Sequence, residues 1–326
     1  MTRVMVTGAT GYIGSHVCKH LKREGYEVVG VDLVEREHTL KHMDDFINED
    51  FNSEEAFAAL KKTVAVVHCA GTSLVGPSVL DPAEYYVNNV AKTANFLDVI
   101  RHMGRPPVFV FSSSAAVYGN PDVDIIRENA PWQPLSPYGQ SKAMIEIMVA
   151  DISRAYHINC MNLRYFNACG ADVEAGELGQ APGATHIIAR LLESVRDNRE
   201  FSLFGSNYPT DDGTCIRDYV HVDDLARAHC LAIQYLLSDV GASCSINLGS
   251  GRGYSNREVI SAVRDFIGPV RVVEQDPRPG DPARLVASND LAKTYLGWSP
   301  EYDLETIIKS AWKWYNNQPK LIDTTV

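Results

Sequence analysis

The chain has 326 residues, 45% hydrophobic and 22% charged, with 30 Lys and Arg against 41 Asp and Glu and a formal net charge of −11. That length holds one large or two medium globular domains, the composition excludes disorder, and the acidic balance excludes general binding to nucleic acid, which needs a basic surface. No stretch approaches the roughly 18 uninterrupted apolar residues of a membrane span, and residues 1–16 lack the charged region and apolar run of an export signal, so a cytoplasmic protein without a membrane partner is expected.

In chain order, short β-branched runs alternate with helical stretches through the first half. Strands are expected at about 3–7, 27–32, 64–69, 108–113 and 158–165, and apolar spacing predicts helices at 13–24, 83–103 and 137–157. Parallel strands joined by helical crossovers make this an α/β, doubly wound sheet. After about Asn167 the chain becomes punctuated by Gly, Pro and Asp at 176–183, 208–213 and 278–282, as in loops around a smaller C-terminal α/β domain. The expected division is 1–167 and 168–326, with a helix at 218–236 inside a segment, about 216–248, that returns to the first domain. The seven cysteines form no C-x-x-C pair and are expected as reduced core thiols.

The first strand runs into Gly8-Ala9-Thr10-Gly11-Tyr12-Ile13-Gly14, which opens the first helix. Such a turn lets backbone N–H groups and the positive helix end face a pyrophosphate. A bare glycine triplet is as often only a turn, and the spacing is G-x-x-G-x-x-G rather than the commoner G-x-G-x-x-G. The context favours a ligand: a strand precedes, a helix follows, and Asp32 ends the second strand 18 residues after Gly14. A carboxylate there accepts from an adenosine ribose and repels a 2′-phosphate, which selects NAD over NADP. Its alternative is a solvated acid at a strand end.

Val108-Phe109-Val110-Phe111 runs into Ser112-Ser113-Ser114, placing hydroxyls at the carboxyl end of the sheet, where ligands of such folds bind. In Ser136-Pro137-Tyr138-Gly139-Gln140-Ser141-Lys142, Ser136 suits an N-cap and Pro137 the first helical position. Tyr138 and Lys142 then share one helix face. The helix start, the Lys142 cation and a positive nicotinamide would each favour the Tyr138 phenolate and make it a proton acceptor. Taken alone, Y-x-x-x-K is an ordinary exposed pair; beside the glycine turn, Asp32 and Ser114 it reads as catalytic.

The stretches Thr7–Ser15, Ser112–Gly119 and Ser136–Gly139 resemble the extended short-chain dehydrogenase/reductase family. Glu84–Val90, Leu163–Asn167, Tyr208–Thr214, Arg217-Asp218-Tyr219 and Arg278–Asp281 further resemble its nucleotide-sugar 4-epimerase branch, so the likeness covers nearly the whole chain. It implies a Rossmann sheet binding NAD, with a nucleotide-sugar domain after it. Carried over residue by residue, it makes Ser114, Tyr138 and Lys142 catalytic. It sets Gly8, Gly11, Tyr12, Ile13, Gly14, Asp32, Asp50, Phe51, Ala70, Asn89, Ser112, Tyr138, Lys142 and Tyr165 around a tightly bound NAD. It sets Asn167, His186, Phe204, Arg217, Arg278, Asp281 and Leu285 around a UDP-sugar. The implied reaction interconverts UDP-galactose and UDP-glucose by oxidation and re-reduction at C4. The arginines supply the charge-assisted hydrogen bonds that a diphosphate in an acidic protein needs. Helices near 84–103 and 137–157 resemble those through which members form homodimers, with Phe96, Val99, Met144, Ile147 and Met148 suited to either a bundle or the sheet.

Three departures stand out. Ala70-Gly71-Thr72-Ser73 lacks a lysine that often follows Ala-Gly, Thr185-His186-Ile187 replaces Asn-Asn-Leu, and Leu285 stands where a bulky tyrosine limits sugar C2 substituents, so UDP-N-acetylhexosamines are expected to fit. A 4,6-dehydratase would need an Asp-Glu pair where Ala115-Ala116 stand. A 4-epimerase or decarboxylase of UDP-pentoses or UDP-uronates stays open, as does a non-catalytic NAD-binding scaffold, although the latter would not need an intact Ser-Tyr-Lys set. No metal is expected: His16/His20 and His38/His42 have no H-E-x-x-H glutamate, and the side-by-side Asp223 and Asp224 do not face each other on a helix.

Overall fold

The computed structural model describes residues 2–238, 241–278 and 281–318; Pro279 and Gly280, the middle of the Arg278–Asp281 stretch, lie outside the described residues. In chain order the first strands are β1 Arg3–Thr7, β2 Glu27–Val31, β3 Asp45–Ile47, β4 Ala65–His68, β5 Val108–Ser114, β6 Cys160–Tyr165 and β7 Asn167–Cys169. They are followed by β8 Glu200–Phe204, β9 Ile216–His221, β10 Cys244–Leu248, β11 Gly253–Ser255, β12 Arg271–Gln275 and β13 Arg284–Leu285. Seven of them form one sheet in the order β10-β6-β5-β4-β1-β2-β3, parallel throughout. The order reverses between β1 and β4, the topological switch point where such sheets bind ligands. Val4, Val6, Val67 and Val110 pack in one core on this sheet, and Met5, Val66, Phe109 and Phe111 in another. Strands buried on both faces explain the near-continuous apolar runs.

Several elements differ from the sequence expectation, each for a physical reason. The helix expected over 83–103 is three pieces: Pro82–Tyr85, capped by Asp81 accepting from Glu84 N at 3.2 Å, a π-helical turn Tyr86–Ala91, and Lys92–Arg101. The wider turn turns Asn89 inward, which a 3.6-residue periodicity does not reveal. The helix expected at 218–236 spans Val222–Leu237, since Ile216–His221 is a strand. That strand does not join the large sheet but pairs with β7, β11 and β13 in the smaller one. Asp218 explains it: fully buried, it accepts from Ser250 N at 2.6 Å, Gly251 N at 3.0 Å and Ala287 N at 3.1 Å, fastening the neighbouring loops. The Val222–Leu237 helix packs on the large sheet, and Cys244–Leu248 becomes its edge strand beside β6.

A separate core containing Leu191, Leu192, Tyr219, Val263, Ile308 and Trp314 holds the C-terminal part. The helix Pro137–Tyr156 matches its sequence signals: Ser136 accepts from Gly139 N at 3.2 Å, Pro137 is its first residue, and His157 ends it in the left-handed region at φ 55°. All seven cysteines are unpaired and five are buried.

Candidate active site

A cavity of about 700 Å³ opens over the carboxyl ends of the strands, from the glycine turn to Arg217 and Leu285. At one end the backbone is bare by necessity. A Cβ on Gly14 would lie 2.1 Å from Gly8 O, and one on Gly8, whose φ is +69°, would lie 2.7 Å from Ala70 N. No side chain caps the helix Tyr12–Arg23 that starts here, so its first N–H groups and positive dipole end are left for an anion. Asp32 accepts from Thr10 N at 3.0 Å and Val34 N at 3.1 Å, which fixes its carboxylate at the rim. These features fit a dinucleotide: an uncapped helix end and close-approach glycines for the pyrophosphate, then an acid one strand away for the ribose.

Gly8, Gly11, Tyr12, Ile13, Gly14, Asp32, Asp50, Phe51, Ala70, Ser112, Tyr138, Lys142 and Tyr165 all line this cavity. Asn89 does not. It is buried beneath the wall, where it accepts from Thr72 N at 2.8 Å and donates to Thr72 O at 2.9 Å and Ser141 Oγ at 3.1 Å. Its geometry makes it a brace between the 70–73 loop and the Tyr138 helix. Lys92, which lines the same cavity as the 70–73 loop that lacks a lysine, is paired with Asp50 at 2.7 Å.

Ser114, Tyr138 and Lys142 converge at the centre. Lys142 donates to the Ser112 carbonyl at 2.8 Å and sits 4.7 Å over the Phe111 ring and 5.8 Å over the Tyr138 ring. Burial pulls the Lys142 ammonium down from its usual range to about 8. Burial raises the Tyr138 phenol above its ordinary value, against a smaller lowering from its hydrogen bond with Ser114. In the protein by itself burial dominates; the phenolate expected from the sequence counts a bound nicotinamide's positive charge beside the helix start and Lys142. An oxidised nicotinamide beside the phenol would add a positive charge that lowers it. Ala115 and Ala116, also on the wall, add no acid or base.

At the far end Asn167, His186, Arg217 and Leu285 line the cavity, while Phe204, Arg278 and Asp281 lie off its wall. Asn167 donates to Asp218 O at 3.1 Å, Arg217 pairs with Asp281 at 3.3 Å, and the Arg278 guanidinium lies 4.1 Å over the Phe204 ring. Sequence reasoning missed Phe166, Cys69, Lys92 and Gln180, which all face the cavity. Phe166 follows the end of β6, a position where strand-end logic could have found it. Gln180 lies in an irregular loop and is placed only by tertiary contacts such as Trp314 Nε1 donating to its carbonyl at 2.7 Å.

Residues 4–249 match the model of the NAD dependent epimerase/dehydratase family. The UDP-glucose 4-epimerase of Halalkalibacterium halodurans is 41% identical over 325 residues, covering 97% of this chain and 96% of that protein. The structure of UDP-glucose 4-epimerase from Brucella ovis in complex with NAD is similar with a TM-score of 0.90 at 40% identity, covering 97% of this chain and 99% of that one. That of UDP-glucose-4-epimerase from Stenotrophomonas maltophila, with bound NAD and formylated UDP-arabinopyranose, has a TM-score of 0.91 at 34% identity, covering 96% and 98%.

Proposed function

The chain belongs to the NAD dependent epimerase/dehydratase family, and from that membership we infer that it interconverts UDP-galactose and UDP-glucose by inversion at sugar C4. It is an NAD-dependent isomerase. Bound NAD supplies a hydride acceptor and then the donor that returns the hydride, so no net oxidant is consumed.

The chain's own residues do the rest. Tyr138 takes the proton of the sugar 4-OH and later gives it back, with Ser114 hydrogen-bonded to the reacting oxygen. Lys142 holds positive charge beside the phenol, which lowers the energy of the phenolate as the proton moves. Arg217 neutralises the diphosphate, and Asn167, His186 and Leu285 complete the UDP-sugar end. Firm nucleotide anchoring with loose sugar contacts would leave the oxidised sugar free to present its other face to the dinucleotide end of the cavity. The observation that carries the reading is the meeting of Ser114, Tyr138 and Lys142 in one cavity with the close-approach glycines.

Ala115 and Ala116 on the wall argue against dehydration, which needs an acid and a base there. Leu285 leaves more room than a tyrosine, which supports UDP-N-acetylhexosamines as further substrates. The finer expectations belong here too: a cytoplasmic enzyme, a tightly held NAD, and a division near residue 167 with the dinucleotide part first. A homodimer is supported by apolar side chains left exposed on neighbouring helical elements, Val79 and Leu80 on Val75–Leu80, Val87 on Tyr86–Ala91, and Met144 and Ile147 on Pro137–Tyr156, whereas Phe96 is fully buried in the sheet core.

The test is purified protein, without added NAD, given UDP-galactose, UDP-N-acetylgalactosamine, UDP-xylose and UDP-glucuronate. UDP-glucose formation from the first is expected, and conversion of only the pentose or uronate overturns the hexose assignment. Tyr138→Phe should lose most turnover while still binding nucleotide; comparable activity refutes its role.

A further inference from the structure

A buried polar chain leaves the cavity wall in a direction that no catalytic assignment uses. The Tyr165 hydroxyl, at the end of β6, lies 2.7 Å from Ser112 Oγ and 2.5 Å from Nε2 of His229, on the helix Val222–Leu237. Ser112 Oγ is in turn 3.0 Å from Cys69 Sγ. Cys69, Ser112 and Tyr165 line the cavity, whereas His229 stands behind them, fully buried.

The direction of these hydrogen bonds follows from one fixed end. His229 Nδ1 lies 2.8 Å from the Leu225 carbonyl, which can only accept, so Nδ1 carries the ring hydrogen and Nε2 is a bare acceptor. Tyr165, the nearer of its two hydroxyl neighbours, donates to it; Ser112 Oγ is 3.5 Å away. Ser112 Oγ, beside both the phenol and the Cys69 thiol, completes the cluster. Burial holds His229 neutral, down at about 4, and pushes the Tyr165 phenol well above its usual value. The relay therefore keeps its protons throughout the neutral range.

We propose that His229 is a positioning residue for the reaction: by committing the Tyr165 proton away from the cavity, it makes the phenol oxygen an acceptor, suited to the N–H of a carboxamide at the nicotinamide end. The same relay fixes Ser112, whose carbonyl receives Lys142. The aromatic contact supports the arrangement, with the Tyr165 and His229 rings edge to face at 5.6 Å. The inference rests on the epimerase reading only for the name of the reaction; the relay acts on the dinucleotide end whichever sugar is used.

The test compares His229→Leu, which removes the acceptor, with His229→Gln, whose side-chain carbonyl can replace Nε2, each alone and with Tyr165→Phe. Two quantities are read: the NAD dissociation constant of the protein, measured by calorimetry, and kcat against KM for UDP-galactose. His229→Leu should weaken NAD binding several-fold and lower kcat roughly 10- to 100-fold, the scale of a misaligned reacting geometry, with KM little changed. His229→Gln should recover most of both, and in the Tyr165→Phe background His229→Leu should add nothing. Unchanged NAD binding in His229→Leu, equal losses in Leu and Gln, or additive losses with Tyr165→Phe would overturn it. A wild-type chain that binds NAD but converts no UDP-hexose would overturn the functional reading while leaving the NAD comparison in force.

Discussion

Lys142 is needed for chemistry and costly for folding, and the two can be separated. It is 5% exposed, and burial lowers it from an ordinary 10.5 to about 8. At about 1.4 kcal/mol per pH unit, keeping it charged at neutral pH costs the folded state roughly 3 kcal/mol. Lys142→Met keeps the chain length and removes the charge, but it leaves the Ser112 carbonyl without its 2.8 Å donor, which offsets about 1 kcal/mol. The nucleotide-free variant should thus be more stable than the parent by roughly 2 kcal/mol at pH 7, and nearly inactive. The sign with pH follows from linkage: the unfolded chain holds the Lys142 proton up to 10.5 and the folded one only to about 8. The parent therefore gains stability as pH rises through that window, and the variant lacks this gain. Urea unfolding of both proteins at pH 7 and pH 10 measures it. A variant less stable than the parent at pH 7, or an advantage that does not shrink by pH 10, refutes the reasoning.

Three other perturbations are equally direct. Gly14→Ala places a methyl 2.1 Å from the Gly8 carbonyl and should abolish NAD binding in a titration even where the chain still folds. Asp32→Ala removes the rim carboxylate that receives Thr10 N and Val34 N, so NAD should bind more weakly and the preference for NAD over NADP should fall, as measured by parallel calorimetric titrations. Glu146→Gln weakens the pairing of Arg164, 2.7 Å away and 3% exposed, and should cost about 3 to 5 kcal/mol in denaturant unfolding, since it leaves a buried cation poorly compensated.

Much of this site was legible because its chemistry is local. The glycine turn, Asp32 at the end of β2, the Ser112–Ser114 run and the Ser136–Lys142 helix start each carry their meaning within a few residues, and each lines one cavity. What the sequence concealed is set by long-range contacts. Asn89 reads as a ligand contact, but the π-helical turn points it at Thr72. Asp218 sits in an apparently helical stretch, but its burial against the Ser250 and Ala287 backbone makes a strand there. Phe204 and Arg278 stack on each other off the cavity wall, an arrangement no spacing rule could place. His229 looks like an ordinary helix residue until Tyr165, 64 positions earlier, is brought against it. The burial that raises the Tyr138 phenol is concealed in the same way, since charged neighbours are visible in a sequence and desolvation is not.

The central claim, that hydrogen leaves sugar C4 as hydride and returns to the same carbon within the protein, is tested most directly by isotope retention. UDP-galactose deuterated at C4 is converted in ordinary water, and the product is read by mass spectrometry and NMR. The account predicts UDP-glucose that keeps its deuterium at C4. Deuterium lost to solvent, with ordinary hydrogen in its place, would contradict it.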